Sequence, residues 1–199
     1  RIPNISAANA SAKVLLQDGH LRLTDFVCDL FGGRNTAEWR ADFSNGTPSY
    51  FGEGRVEGAS AAALAEAMQD DWVTGILNAK YRITFSGKTL DEMISMAAGS
   101  LDFDLRDGTL RRMAPSSGDG PLHVQRFFGR LALQQGAFSL PQSRLETSTG
   151  IYTVTGTASL NRKIDFTLRD RTHAYSVRGT LSNPRISALP MIEQAAADK

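Results

Sequence analysis

The residues of this chain with the types to do chemistry are three histidines, one cysteine and a few paired carboxylates, and their spacing argues against each use. His20, His123 and His173 lie far apart, and none has a second histidine at metal-ligand spacing. Neither a zinc site nor His-based catalysis is therefore expected. A nucleophilic serine would want a Gly-x-Ser-x-Gly elbow, and the sequence contains none. Asp70-Asp71 and Asp91-Glu92 fall at the ends of predicted helices, where solvation and the helix dipole account for them. Cys28 is the only cysteine, which excludes an internal disulfide and any Cys-based zinc site. Within "DFVCDL" it reads as a small, buried, inert thiol.

One motif imitates a cofactor site. "GEGRVEG", residues 52–58, has the glycine punctuation of a dinucleotide-binding turn and runs into an Ala-rich segment. The first strand of such a fold is buried on both faces and continuously apolar, whereas "NGTPSYF" before it is polar and contains Pro48. Glu53 and Glu57 would also stand beside a pyrophosphate. The expected reading is a glycine-punctuated strand end, with no catalytic residue, no metal and no cofactor.

Composition narrows the partners. Across 199 residues the net charge is +1 and the apolar fraction 41%, ordinary values for a globular chain of one large or two small domains. The densest basic cluster is Arg111-Arg112, so no nucleic-acid face is predicted. No uncharged apolar run approaches the roughly 20 residues that a membrane-spanning helix needs. The chain begins at Arg1 without Met, which reads as a fragment or a processed product.

The elements are mostly strands. In "SLDFDLRDG", Leu101, Phe103 and Leu105 alternate with Asp102, Asp104 and Arg106. "KIDFTLR", "AEWRADF" and "NAKYRITFSG" repeat the scheme. Successive strand side chains point to opposite faces, so each segment has one apolar and one wet side, as in an antiparallel sheet solvated on one face. "LQDGHL" at 16–21, "LRDGTL" at 105–110 and, more weakly, "LQQGAF" at 133–138 read as hairpin tips, where Gly supplies a positive φ. Further strands are predicted at 122–134, 137–147, 150–160, 162–169 and 173–181.

Two short amphipathic helices interrupt the strands, near 60–70 with Leu64, Ala65, Met68 and Trp72, and near 89–98 with Leu90, Met93, Ile94 and Ala97. Thr89 and Glu92 form a capping-box pattern. Both helices are expected to lie against the sheet. The fold class is therefore mainly β with two short helices (α+β), an antiparallel hairpin-built sheet curled into a groove or half-barrel. Its organisation reads as a β-rich half over 1–113 and a flexible linker over 114–121. An antiparallel half over 122–189 completes the same sheet, followed by a frayed tail over 190–199.

A set of hairpins with one apolar face must bury it by closing, stacking or curling into a trough. The candidate wall comprises Leu101, Phe103, Leu105, Leu131, Leu133, Phe138, Leu140, Val154, Ile164, Phe166 and Leu168. Such a wall suits an acyl chain if part of it stays open, and an ordinary core if it does not.

The order of segments resembles the C-terminal region of the AsmA family of bacterial cell-envelope proteins, over roughly 35–188. The likeness rests on "GEGRVEGASAAALAEAM", on "GKTLDEMISMAAGSLDFDLRDGTL", on "FFGRLALQQGAFSLPQSRLETSTGIYTVTGTASLNRKIDFTL" and on the ending "VRGTLSNPRIS". The resemblance implies a periplasmic domain attached to the inner membrane through a segment absent from this chain. It implies similarity to bridge-like lipid-transfer proteins, with phospholipid acyl chains as ligand and a part in outer-membrane integrity. It carries no catalytic residue. The alternative is a structural or protein-interaction module assisting outer-membrane assembly, with a closed core and no ligand. Unpaired sheet edges are further candidates for pairing with other copies or an upstream domain.

Overall fold

A computed structural model describes residues 7–113, 120–159 and 162–190. The linker expected over 114–121 and the tail over 190–199 lie outside the described residues, apart from Gly120, Pro121 and Pro190.

Alternation becomes one antiparallel sheet of twelve strands, each bonded only to its sequence neighbours. The strands are β1 Ala7–Gln17, β2 His20–Leu30, β3 Gly33–Asp42, β4 Ser49–Ser60, β5 Val73–Ser86 and β6 Ala98–Leu110. They continue as β7 Leu122–Gln134, β8 Ala137–Thr147, β9 Ile151–Ser159, β10 Lys163–Arg169, β11 Ala174–Thr180 and β12 Asn183–Leu189. Helix α1, Ala61–Ala67, sits between β4 and β5, and α2, Leu90–Ser95, between β5 and β6. The sheet is curled and does not close into a barrel. Both halves of the chain belong to it, because β6 pairs with β7 along its length.

Two of the three expected hairpin tips are turns. Asp18-Gly19 (φ 49° and 79°) joins β1 to β2, and Gln135-Gly136 (φ 50° and 74°) joins β7 to β8. The third, Asp107-Gly108, is not a turn: β6 runs straight through it. Asp107 takes φ 49° as the extra residue of a β-bulge, since β6 advances from Arg106 to Thr109 while β5 moves only from Ile76 to Thr74. Leu105 and Leu110, five apart, would face opposite sides of a regular strand; the bulge returns both to the core. A hairpin and this kind of bulge use the same left-handed residue, so the sequence pattern is shared. Backbone crowding fixes the glycine, because a Cβ at Gly108 would stand 2.3 Å from the Thr74 carbonyl oxygen.

Other bulges lie at 8–11 in β1, 23–26 in β2, 56–59 in β4 and 140–143 in β8, and each adds local twist that helps the sheet curl. Pro141, unable to donate to a ladder, sits in the last of these.

The core sits in the C-terminal half. Val73, Leu105, Leu110, Leu122, Val124, Leu140, Leu145, Tyr152, Val154, Ile164, Leu168 and Val177 pack as one cluster with Ala61 and Ala65 of α1. Helix α1 is capped by Ser60, whose hydroxyl accepts from the Ala63 amide at 3.2 Å. Helix α2 lies beside β5 as expected, but lightly. Its capping box forms, with Glu92 accepting from the Thr89 amide and Thr89 from the Glu92 amide. Yet none of its residues is buried, and Leu90 and Ile94 face solvent. Six residues make under two turns, so the caps hold the helix and its apolar side contributes little packing.

Candidate functional site: a one-sided apolar trough

Strand register decides which side chains share a face. Leu101 stands opposite Leu131, Leu105 opposite Phe127, and Leu133 opposite Phe138. Phe138 faces Ala158, which faces Ile164; Leu140 and Phe166 meet across Gly156; Val154 faces Leu168. All eleven candidate wall residues therefore lie on one side of the sheet. They do not share one environment. Leu105, Leu140, Val154, Ile164 and Leu168 are sealed into the core, whereas Leu101, Phe103, Leu131, Leu133, Phe138 and Phe166 remain half-buried.

The half-buried stripe continues toward the N-terminus through positions the candidate wall omitted. Tyr81 and Ile83 of β5 lie opposite Leu101 and Gly99, and Phe85 lies opposite Tyr50. Trp39 of β3 lies opposite Leu23, and Leu21 opposite Leu16. "AEWRADF" and "NAKYRITFSG" already carried the alternation that could have found them. Rings line this stretch: Tyr50 stacks on Phe85 with centroids 4.9 Å apart, and Phe85 meets Trp39 edge-on at 6.4 Å. Farther along, Phe103 meets Phe127 at 4.9 Å.

The glycines of "GEGRVEG" explain how these rings lie flat. A Cβ at Gly52 would fall 2.3 Å from the Trp39 ring, and one at Gly54 2.8 Å from the Tyr81 hydroxyl. The motif is a strand interior that admits aromatic side chains. Tyr81 in turn donates to Asn35 Oδ1 at 3.2 Å, and Asn35 contacts the Cys28 thiol at 3.6 Å, which places Cys28 in the buried layer as expected. Burial raises the Tyr81 pKa above the usual tyrosine value.

One end of the trough is closed. Asp70, between α1 and β5, accepts from the Ser182 hydroxyl in the β11–β12 turn, 112 residues away. Arg112 at the end of β6 reaches Asp70 at 3.2 Å, bonds the Ser182 carbonyl at 2.5 Å and pairs with Asp71. Arg162 approaches Asp70 at 3.8 Å from the β9–β10 turn. Burial opposes the charge on Asp70, but these donors and the Asp71 amide outweigh it and hold its carboxyl below the usual range. Loops from widely separated strands are thus clasped over the end that α1 fills.

The other face is charged and paired. Arg130 grips Asp102 with bonds of 2.6 and 2.9 Å, and Arg126 grips Asp104 with two of 2.9 Å while lying over the Phe128 ring. Arginine hydrogen bonds pull both aspartate pKa values down. A recess of about 530 Å³ is lined by Glu38, Glu53, Arg55, Lys80, Arg82 and Asp102. A second, of about 570 Å³, is lined by His20, Arg22, Arg40, Phe51, Thr84 and Met96. The register puts the charged residues of both recesses on the charged face, and the second recess also borders Leu21, Tyr50 and Phe85 of the stripe.

Among the described residues no group of three metal-ligating side chains forms. His20 stands 3.5 Å from Asp42 and His173 3.5 Å from Asp170, each held by a neighbour within its own hairpin or turn. No helix among the described residues is long and apolar enough to cross a membrane. No protein-family model, curated protein or solved structure matches the chain.

Proposed function

We propose that the protein is a non-enzymatic cell-envelope domain whose curled sheet holds phospholipid acyl chains along its apolar face. The observation that carries this reading is the stripe from Leu21 through Trp39, Ile83 and Leu101 to Leu133, half-buried in one continuous row beyond the sealed core. Helix α1 packs on β4 and β5, α2 only touches β5, and neither packs substantially on β2 or β3, which leaves the stripe open there. Each methylene taken from water onto such a wall is worth about 0.8 kcal/mol, so a partly covered chain offsets much of its extraction cost. A periplasmic location, inner-membrane attachment and a part in outer-membrane homeostasis rest on the resemblance to AsmA-type proteins.

The sealed C-terminal core supports a second reading, a structural module that binds no lipid and acts through protein contacts. Five of the eleven candidate wall residues are its packing atoms. The two readings separate on bound lipid and on what a stripe variant does to it. Solvent extraction and native mass spectrometry of the purified protein should find bound phospholipid. The double variant Leu101→Asp/Leu133→Asp should lose that lipid, and uptake of a fluorescent phospholipid, while keeping its circular dichroism. Leu168→Asp, inside the core, should unfold the chain under either reading. A lipid-free wild type with no uptake removes the carrier function.

A further inference from the structure

The most exposed run of large apolar residues lies on β1, the first edge of the sheet. All eleven residues of this strand are exposed, and Val14, Leu15 and Leu16 are 66%, 58% and 67% accessible. Natural edges are guarded by charge, proline or bulges. Here the bulge in β1 itself sits at 8–11, the second irregularity of the pair, at 11–13, takes its extra residue from β2, and Lys13 leans back onto Asp25 of β2 at 2.7 Å. The opposite edge, β12, is guarded by Pro184 and by Arg185 opposite Arg178.

The hairpin geometry states which backbone groups are free. The two-residue Asp18-Gly19 turn makes Gln17 and His20 the closing hydrogen-bonded pair, so the pairs Leu16–Leu21 and Val14–Leu23 are the non-bonded ones. The Phe43 amide donating to the Gly19 carbonyl at 2.8 Å, on the far side of β2, agrees with this phase. The amides and carbonyls of Val14 and Leu16 therefore point outward from the edge.

From this we infer that β1 is a homodimerisation strand, pairing antiparallel with β1 of a second copy about a two-fold axis at Leu15. In that register Val14 meets the partner's Leu16 and Leu16 the partner's Val14, both as hydrogen-bonded pairs that use the free groups just named. Leu15 meets itself on the outer face, and Lys13 meets Gln17, so no like charges oppose each other. Shifting the register by two residues toward the N-terminus sets Lys13 against Leu15 and Ala12 against Leu16, which gives up apolar contact at both pairs. The pairing joins the apolar faces of two copies, and it stands whether or not that face holds an alkyl chain.

The test is the mass of the 199-residue chain in solution, read by sedimentation equilibrium as concentration rises. The expected result is a shift from 21.6 kDa toward twice that value. Leu15→Lys sets two ammonium groups face to face at the axis and should weaken association roughly tenfold or more without changing the circular dichroism. Ile151→Lys, at an equally solvated apolar site on the outer face of β9, should leave it unchanged. Under copper–phenanthroline oxidation, Leu15→Cys should cross-link and Ile151→Cys should not, with Cys28 buried in both. A chain that stays monomeric at every concentration overturns the inference, including one whose edge is taken by another polypeptide. So does a Leu15→Lys variant that associates like the wild type, or a Leu15→Cys variant that cross-links no faster than Ile151→Cys.

Discussion

Asp70 shows how a single carboxylate holds distant loops together. Its side chain is 3% exposed, and it collects Ser182, Arg112, Arg162 and a backbone amide from four places in the chain. Removing one member of such a buried set strands the rest, so Asp70→Ala should cost about 3 kcal/mol in urea unfolding at neutral pH. Because the folded pKa lies below the unfolded value of about 3.9, the stabilisation is complete above that value and is lost as pH falls through the folded pKa. The wild type should therefore lose stability below about pH 4, and Asp70→Ala should show a shallower acid limb in the same titration. None of this was legible beforehand: "DD" at 70–71 reads as a solvated helix end, and the partner at 182 is visible only once the sheet has curled. Asp107-Gly108 teaches a related lesson, since a left-handed Asp before Gly serves a tip or a bulge equally well.

At the scale of elements, strands were the readable part. Alternation placed β7, β8, β9, β10 and β11 within about a residue or two of their observed ends, because a one-residue slip would turn every apolar side chain to water. β12 escaped notice, since "NPRISAL" combines a proline with weak alternation and survives as an edge. Both helices are legible in the sequence, and α1 packs against the sheet as expected, whereas α2 touches β5 without burying a residue. Both read as amphipathic, yet α1 buries Ala61 and Ala65 while α2 buries nothing. The discriminating quantity is neighbour space, which periodicity does not encode. Leu90→Glu/Ile94→Glu should accordingly leave the denaturation midpoint within the change of about 0.5 kcal/mol typical of surface sites, while Ala65→Leu, forced into a full site, should cost roughly 1–3 kcal/mol. Equal losses in the two variants would mean that α2 packs after all.

For the whole molecule, the meander sets how stability is distributed. Every strand bonds only its neighbours in sequence, so cooperativity passes from strand to strand, and the α1 core and the Asp70 clasp are what tie distant strands together. The clasp and the α1 core both lie on the C-terminal side, while β1 is wholly exposed. Native-state hydrogen exchange should show a gradient, with Leu145 and Val177 amides opening near the global free energy and β2 amides opening well below it. Uniform protection from β2 to β11 would contradict that picture. This gradient follows from where the apolar face is doubled back on itself, which composition and period leave open. The seating of α1 in the core beside the Asp70 clasp has a further consequence for the acyl-chain proposal. Were acyl chains to lie along that face as proposed, a corridor closed at this end would give them no through-route, and they would leave by the mouth they came in or step sideways over the rim. Direction of travel would then be decided by whatever stands at the open mouth, and the domain itself would be a berth rather than a pipe.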